Sequence, residues 1–164
     1  MQTILVVDDY PYLADLFSDV LAETGRYRSV LARSGPSAAA LLEDGGIDLA
    51  VVDACLPGEF SGFEVCQRAL ARRVPSLLIT GDPIVAERCE VIGIPWLPKP
   101  FHLDELLCAV DRELANLAGN LERVRRGMEL LKASAQRLTK ARQTALATVE
   151  WSRRARISRQ KKRP

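Results

Sequence analysis

Apolar residues in the first hundred positions come in short runs that alternate with stretches of helical spacing. Residues 3–7 (TILVV) form a continuous apolar and β-branched run ending at Asp8-Asp9, the pattern of a strand buried on both faces. Leu13, Leu16, Phe17, Val20 and Leu21 then recur at helical spacing up to Gly25. A second strand is expected around Tyr27–Leu31, and a helix carrying Ala38 to Leu42 stops at Gly45-Gly46. Residues 47–52 (IDLAVV) read as a third strand running into Asp53. Pro57 and Gly58 open a loop, and Phe63, Val65 and Leu70 share a helix. Residues 74–79 form a fourth strand ended by Thr80-Gly81, followed by a short helix around Ile84–Val91 and a fifth strand, Ile94–Leu97. Lys99-Pro100 then precedes a helix from Leu103.

Five strands alternating with helices imply an α/β class chain with a doubly wound parallel sheet. In such sheets ligands sit beyond the carboxyl ends of the strands, at the topological switch point. Beyond the first strand lie Asp8 and Asp9; beyond the third, Asp53; beyond the fourth and fifth, Thr80 and Lys99. Any one of these alone reads as a turn former, a helix cap or a solvated charge. Together they make one rim of three carboxylates, a hydroxyl and an ammonium.

Composition narrows the class. Apolar residues are 48% of the 164, enough for a core, and with only 5% aromatics that core must be aliphatic. No apolar run approaches the ~20 residues of a membrane span, and the start lacks a basic leader pattern, so a cytoplasmic protein is expected. Cys55, Cys66, Cys89 and Cys108 show no CxxC or metal-like spacing and are expected as free thiols.

Charge divides the chain. Residues 1–118 hold 9 Lys+Arg against 18 Asp+Glu, a net of −9, whereas 119–164 hold 14 against 3, a net of +11. The expected organisation is a domain over 1–118, a helical extension over 119–150 and a basic tail over 151–164.

Clustered carboxylates repel one another unless a cation neutralises them. A hard ion such as Mg²⁺, which prefers oxygen ligands and commonly also binds phosphate, is the natural occupant. Lys99 offers a point charge to phosphate oxygens, Thr80 a hydroxyl donor, and an Asp carboxylate can act as the nucleophile that forms an aspartyl phosphate. Phosphoryl transfer depends mainly on positioning and charge stabilisation, so this small set suffices.

At these residues the chain resembles the receiver domain of bacterial two-component response regulators, of the chemotaxis-regulator type. The likeness covers roughly residues 1–118 and rests on ILVVDDY at the start, DLAVVDACLP around Asp53, LLITGD at Thr80 and WLPKPF at Lys99. The resemblance implies a flavodoxin-like sheet of strand order 2-1-3-4-5 and a phosphoacceptor rather than an enzyme. It implies that Asp53 takes a phosphoryl group from a phosphohistidine of a sensor kinase or histidine phosphotransfer protein. It further implies Mg²⁺ held by Asp9, Asp53 and the backbone carbonyl of Cys55, with Asp8 acting through a water. Thr80 and Lys99 would meet the phosphoryl oxygens, Trp96 would be the switch aromatic, and Cys55 and Asp82 would tune phosphoryl lifetime. Three departures stand out. The GEFSG loop is longer than the family pattern, Trp96 is bulkier than the usual aromatic, and the Thr80–Lys99 interval is short, so a shortened or irregular fourth helix is expected.

The carboxy-terminal part is organised differently. From Leu103 an alternating three-four spacing runs through Leu107, Val110, Leu114, Leu117, Leu121, Val124, Met128, Leu131, Ala135 and Leu138, the period of a coiled-coil seam. Its start is expected to face the sheet, and its remainder is expected to self-associate as a dimer or small bundle, with folding back on the domain and a tail disordered until a partner binds as the alternatives. Gly119-Asn120 is expected as a break, and Gly119 and Gly127 each weaken a helix. Residues 151–164 carry seven basic residues and no acid, with Trp151 read as a packing residue. No helix-turn-helix pattern or other DNA-binding effector signature is legible, so altered protein contacts or a phosphorelay are expected as output. The alternative is phosphorylation-controlled, dimeric nucleic-acid binding through the basic helix, without sequence specificity.

Overall fold

A computed structural model describes residues 1–58 and 60–160 and, within these, all side chains other than those at 118, 120, 121 and 145–160. In chain order the elements are β1 (Gln2–Val7), α1 (Pro11–Glu23), β2 (Tyr27–Ala32), α2 (Gly35–Asp44), β3 (Leu49–Asp53), α3 (Gly62–Ala71), β4 (Ser76–Thr80), α4 (Pro83–Ile92), β5 (Trp96–Pro98), α5 (Leu103–Ala115) and α6 (Leu117–Gln160). The five strands pair in parallel in the order β2-β1-β3-β4-β5, as expected.

Alternation along the strands sends side chains to opposite faces of the sheet. Ile4, Val6, Leu49, Val51, Leu77 and Ile79 pack with Phe17 and Leu21 of α1 and with Leu106 and Val110 of α5. Leu5, Val7, Ala50, Val52 and Leu78 alternate with them and are equally buried, on the face covered by the remaining helices. Leu103, Leu107 and Leu114 pack against the same core, so the start of the apolar seam does face the sheet.

Two expectations are corrected. The fourth helix is neither shortened nor irregular: α4 has ten residues, as many as α2 and α3. The short interval is absorbed after it, where Gly93 takes a left-handed φ of 81° and the Ile94 N–H folds back onto the Cys89 carbonyl, leaving β5 only three residues. The chain does not break at Gly119-Asn120. It breaks at Asn116, which caps α5, and α6 continues through the glycine. The seam is therefore continuous in sequence but divided between two helices.

A first compact unit, Met1–Gly127, holds the sheet, α1 to α5 and the opening turns of α6; Met128–Pro164 forms a second. No helix among the described residues is long and apolar enough to cross a membrane. The side chains of the basic segment, Trp151 included, lie outside the described residues, as do residues 161–164 and the side chain of Leu121.

Candidate phosphoryl-acceptor site

The site is built where β1, β3, β4 and β5 end. Asp53 is the last residue of β3 and pairs in register with Ile79, while Thr80 pairs with Pro98, so Asp53, Thr80 and Lys99 follow one another along neighbouring strand ends. The backbone fixes this order. Ala54 N–H donates to the Ile79 carbonyl at 2.9 Å and Lys99 N–H to the Thr80 carbonyl at 2.8 Å. The Lys99-Pro100 peptide is cis.

Side chains converge on this frame. One carboxylate oxygen from each of Asp8, Asp9 and Asp53 lies within 4.8 Å of the others, with Asp8 and Asp53 buried and Asp9 exposed. Lys99 Nζ sits 3.1 Å from Asp53 Oδ1. Burial pushes the Asp8 carboxyl above the usual carboxylate range, and the neighbouring Asp53 and Asp9 charges add to this. The Tyr10 backbone N–H, which donates to Asp8 Oδ1 at 2.8 Å, and the Lys99 ammonium both pull the other way. A concave, acidic, oxygen-only donor set is what a hard divalent cation takes. The three aspartates fit Mg²⁺.

Thr80 is buried, and its Oγ1 accepts the Asp82 N–H at 3.0 Å. Asp82 is the N-cap of α4, its carboxylate accepting the Ile84 N–H at 2.8 Å. Trp96 is half-buried and lines a surface pocket of about 320 Å³ with Thr80, Asp82 and Lys99. The Cys55 side chain is exposed, two residues beyond Asp53. Asp8, Asp9, Asp53, Thr80 and Lys99, singled out from the sequence as one rim, thus lie at neighbouring strand ends.

Two contributors were missed. The Tyr10 backbone amide, which orients Asp8, leaves no signal in residue identity. Gly62 stands so close under the end of β3 that a β carbon there would lie 2.3 Å from the Asp53 carbonyl oxygen. Its signal was present, as a glycine opening the apolar period of α3 immediately after Ser61, but it marked only loop length.

Residues 4–111 match the family model described as the response regulator receiver domain. The transcriptional regulatory protein TcrA of Mycobacterium tuberculosis is 39% identical over 110 residues, covering 63% of this chain and 42% of that protein. The transcriptional regulatory protein TctD of Salmonella typhimurium is 33% identical over 172 aligned positions, covering 96% of this chain and 75% of that one. The chain therefore spans under half of the first relative and three quarters of the second. Among solved structures, the response regulator protein TrrA of Thermotoga maritima, in complex with Mg²⁺ and BeF, is 30% identical at a TM-score of 0.62, covering 68% of this chain and 98% of that one.

Proposed function

We propose, from the premise that this chain belongs to the response regulator receiver family, that Asp53 accepts a phosphoryl group from a phosphohistidine and that the change is passed on by altered contacts. The observation that carries this reading is the pairing of Asp53 Oδ1 with Lys99 Nζ at 3.1 Å, inside the cluster formed with Asp8 and Asp9. A carboxylate oxygen of Asp53 attacks phosphorus, the P–N bond to the imidazole breaks, and the imidazole leaves with the electron pair. Lys99 would follow negative charge from the carboxylate onto the phosphoryl oxygens, and the Thr80 hydroxyl would donate to one of them. Asp8, Asp9 and Asp53, with the Cys55 carbonyl, would hold Mg²⁺, whose chemistry when bound is to neutralise the charge gathered there. Exposed Cys55, two residues beyond Asp53, and the helix cap Asp82 would set how readily water reaches the acyl phosphate.

The donor in this reading is a sensor histidine kinase or histidine phosphotransfer protein, in the cytoplasm. The chain acts as a phosphoacceptor with slow self-phosphorylation and self-dephosphorylation rather than as an enzyme on other substrates. Incubation with acetyl phosphate and Mg²⁺ tests it. Wild type acquires a phosphoryl label that alkali and hydroxylamine remove, and Asp53→Asn does not; equal labelling of that variant would sink the assignment.

A second reading has its own support. The likeness to TctD, named a transcriptional regulatory protein, extends through 96% of this chain and so into residues 119–164, whose net charge is +11. Nucleic-acid binding through that segment would weaken steeply with salt. A chain ending at Gly127 would lose it, and retention of binding by that chain would exclude the idea.

A further inference from the structure

The opening turns of α6 are not free of the receiver fold; they grip one corner of it. A β carbon at Gly127 would lie 1.7 Å from the Ile92 carbonyl oxygen and 2.4 Å from its carbon, so backbone meets backbone there with no slack. One turn earlier, Arg123 Nε donates to the Gly93 carbonyl at 3.1 Å, a cation on the electronegative end of α4. A β carbon at Gly93 would in turn lie 2.8 Å from Arg123 Cγ. Val124, between the two contacts, is buried.

What α6 grips is the point where α4 ends, midway along the segment that joins Thr80 to Lys99. That segment consists of Asp82, α4, the Gly93 turn and β5, and its two ends are the residues placed to meet a phosphoryl group. Its near end is tied to the site through one atom. Thr80 Oγ1 accepts the N–H of Asp82, and Asp82 caps α4 through Ile84 N–H. A Thr80 hydroxyl that turns to donate to a phosphoryl oxygen changes its geometry toward the capping residue. A ten-residue helix moves as a unit, so a displacement at its cap reaches Ile92 and Gly93. The contact at Gly127 is too close to absorb it.

We propose, on top of the phosphoacceptor reading of Asp53, that the opening turns of α6 are a latch on the α4–β5 corner. The latch is docked in the unmodified protein and loosened when Asp53 carries a phosphoryl group. Arg123 and Gly127 are its two contact residues. The state of Asp53 is thereby handed to the helical extension itself, through α4.

Linkage supplies the test, because whatever the phosphoryl group loosens must oppose its binding when docked. Beryllofluoride with Mg²⁺ is titrated into the full-length protein, with affinity read by calorimetry and backbone exchange followed by mass spectrometry. In wild type, saturation is expected to raise amide exchange in residues 117–127. Arg123→Ala and Gly127→Leu are expected to bind beryllofluoride about fivefold more tightly than wild type. Arg126→Ala, on the exposed face and paired with Glu122, is expected to match wild type. Arg123→Ala removes only an exposed side chain, so it keeps the test valid should Gly127→Leu fold poorly. Unchanged or weakened affinity in Arg123→Ala, or exchange in 117–127 indifferent to beryllofluoride that does bind, overturns the latch and leaves the site reading standing. Absence of binding to wild type overturns the site reading and the latch with it.

Discussion

Gly62 lies against the peptide of Asp53: a β carbon at this position would come within 2.3 Å of the Asp53 carbonyl oxygen and 2.8 Å of Ala54 Cα. The Gly62 N–H donates to the Ala54 carbonyl at 3.3 Å, so α3 begins directly under the end of β3. Both atoms met are backbone, which cannot swing aside as a flexible side chain would. Gly62→Ala is expected to cost about 1–3 kcal/mol through overpacking. It should also weaken Mg²⁺ binding, because the peptide that must yield carries Asp53. Urea unfolding and a Mg²⁺ titration check the two effects; a variant with wild-type stability would mean that α3 moves away freely.

Lys99 makes a separable prediction. Its ammonium sits 3.1 Å from Asp53 Oδ1 while three carboxylates compete for whatever cation is near. Lys99→Met removes the built-in cation and should leave the cluster hungrier for Mg²⁺. Because the lysine side chain is 35% exposed, solvent screens the effect, and a gain of roughly 1 kcal/mol, about fivefold in Kd, is expected. Labelling by acetyl phosphate should fall at the same time, since the charge that follows the phosphoryl oxygens is gone. Weaker Mg²⁺ binding by Lys99→Met would show that the lysine chiefly positions Asp53.

The contrast between these two residues shows what the sequence made legible. Asp53 and Lys99 were found because the strand period puts them at carboxyl ends, and chemistry of that kind has few other reasons to gather there. The fold was legible for the same reason, since β1 and β3 are near-continuous apolar runs that only a sheet covered on both faces accommodates. Close approach of backbone to backbone leaves no such trace. Gly127 reads as a helix-weakening residue until Ile92 is seen against it, and Gly62 as a spacer until Asp53 is. Ile94 reads as the start of a strand because it is apolar. It is buried instead beneath the end of α4, outside β5, a choice settled by the left-handed turn at Gly93.

The four thiols should separate cleanly. Cys55 and Cys108 are exposed, whereas Cys66 and Cys89 are buried. Burial pushes the Cys66 thiol up from its ordinary 9.0 to about 12, against a hydrogen bond with Ser76, and the Cys89 thiol up to about 11. Native protein at pH 8 should therefore react with maleimide at two cysteines, and unfolded protein at all four. The same shifts set the alkaline limit of the fold. Both thiols stay neutral in either state below about pH 9, where their contribution is fully present. As pH rises further the unfolded chain ionises first and is favoured, so stability should fall from pH 9 toward about 11 for Cys89 and about 12 for Cys66. Cys66→Ala should flatten part of this fall, which chemical denaturation at stepped pH would register.

Self-association through the second compact unit is the remaining prediction. Beyond residue 128 the apolar seam continues at Leu131, Ala135 and Leu138, one heptad from first to last, and Leu138 is 70% exposed. A helix of this length draws little stability from propensity alone and is secured mainly by burying an apolar face. The long α6 therefore needs a partner for that face, and a second copy of the same chain presents the same seam. Light scattering of the full-length protein at tens of micromolar should accordingly give twice the mass of one chain. Leu138→Lys removes a buried leucine from each side of the pair and adds two like charges. At roughly 1.5–3 kcal/mol for each leucine, the dissociation constant of the dimer should rise at least tenfold, shifting the protein toward monomer. The receiver fold should be untouched, since the substitution lies outside Met1–Gly127, so beryllofluoride binding by the variant serves as the control. A wild-type protein that stays monomeric under these conditions would leave the seam for a different partner and exclude the dimer.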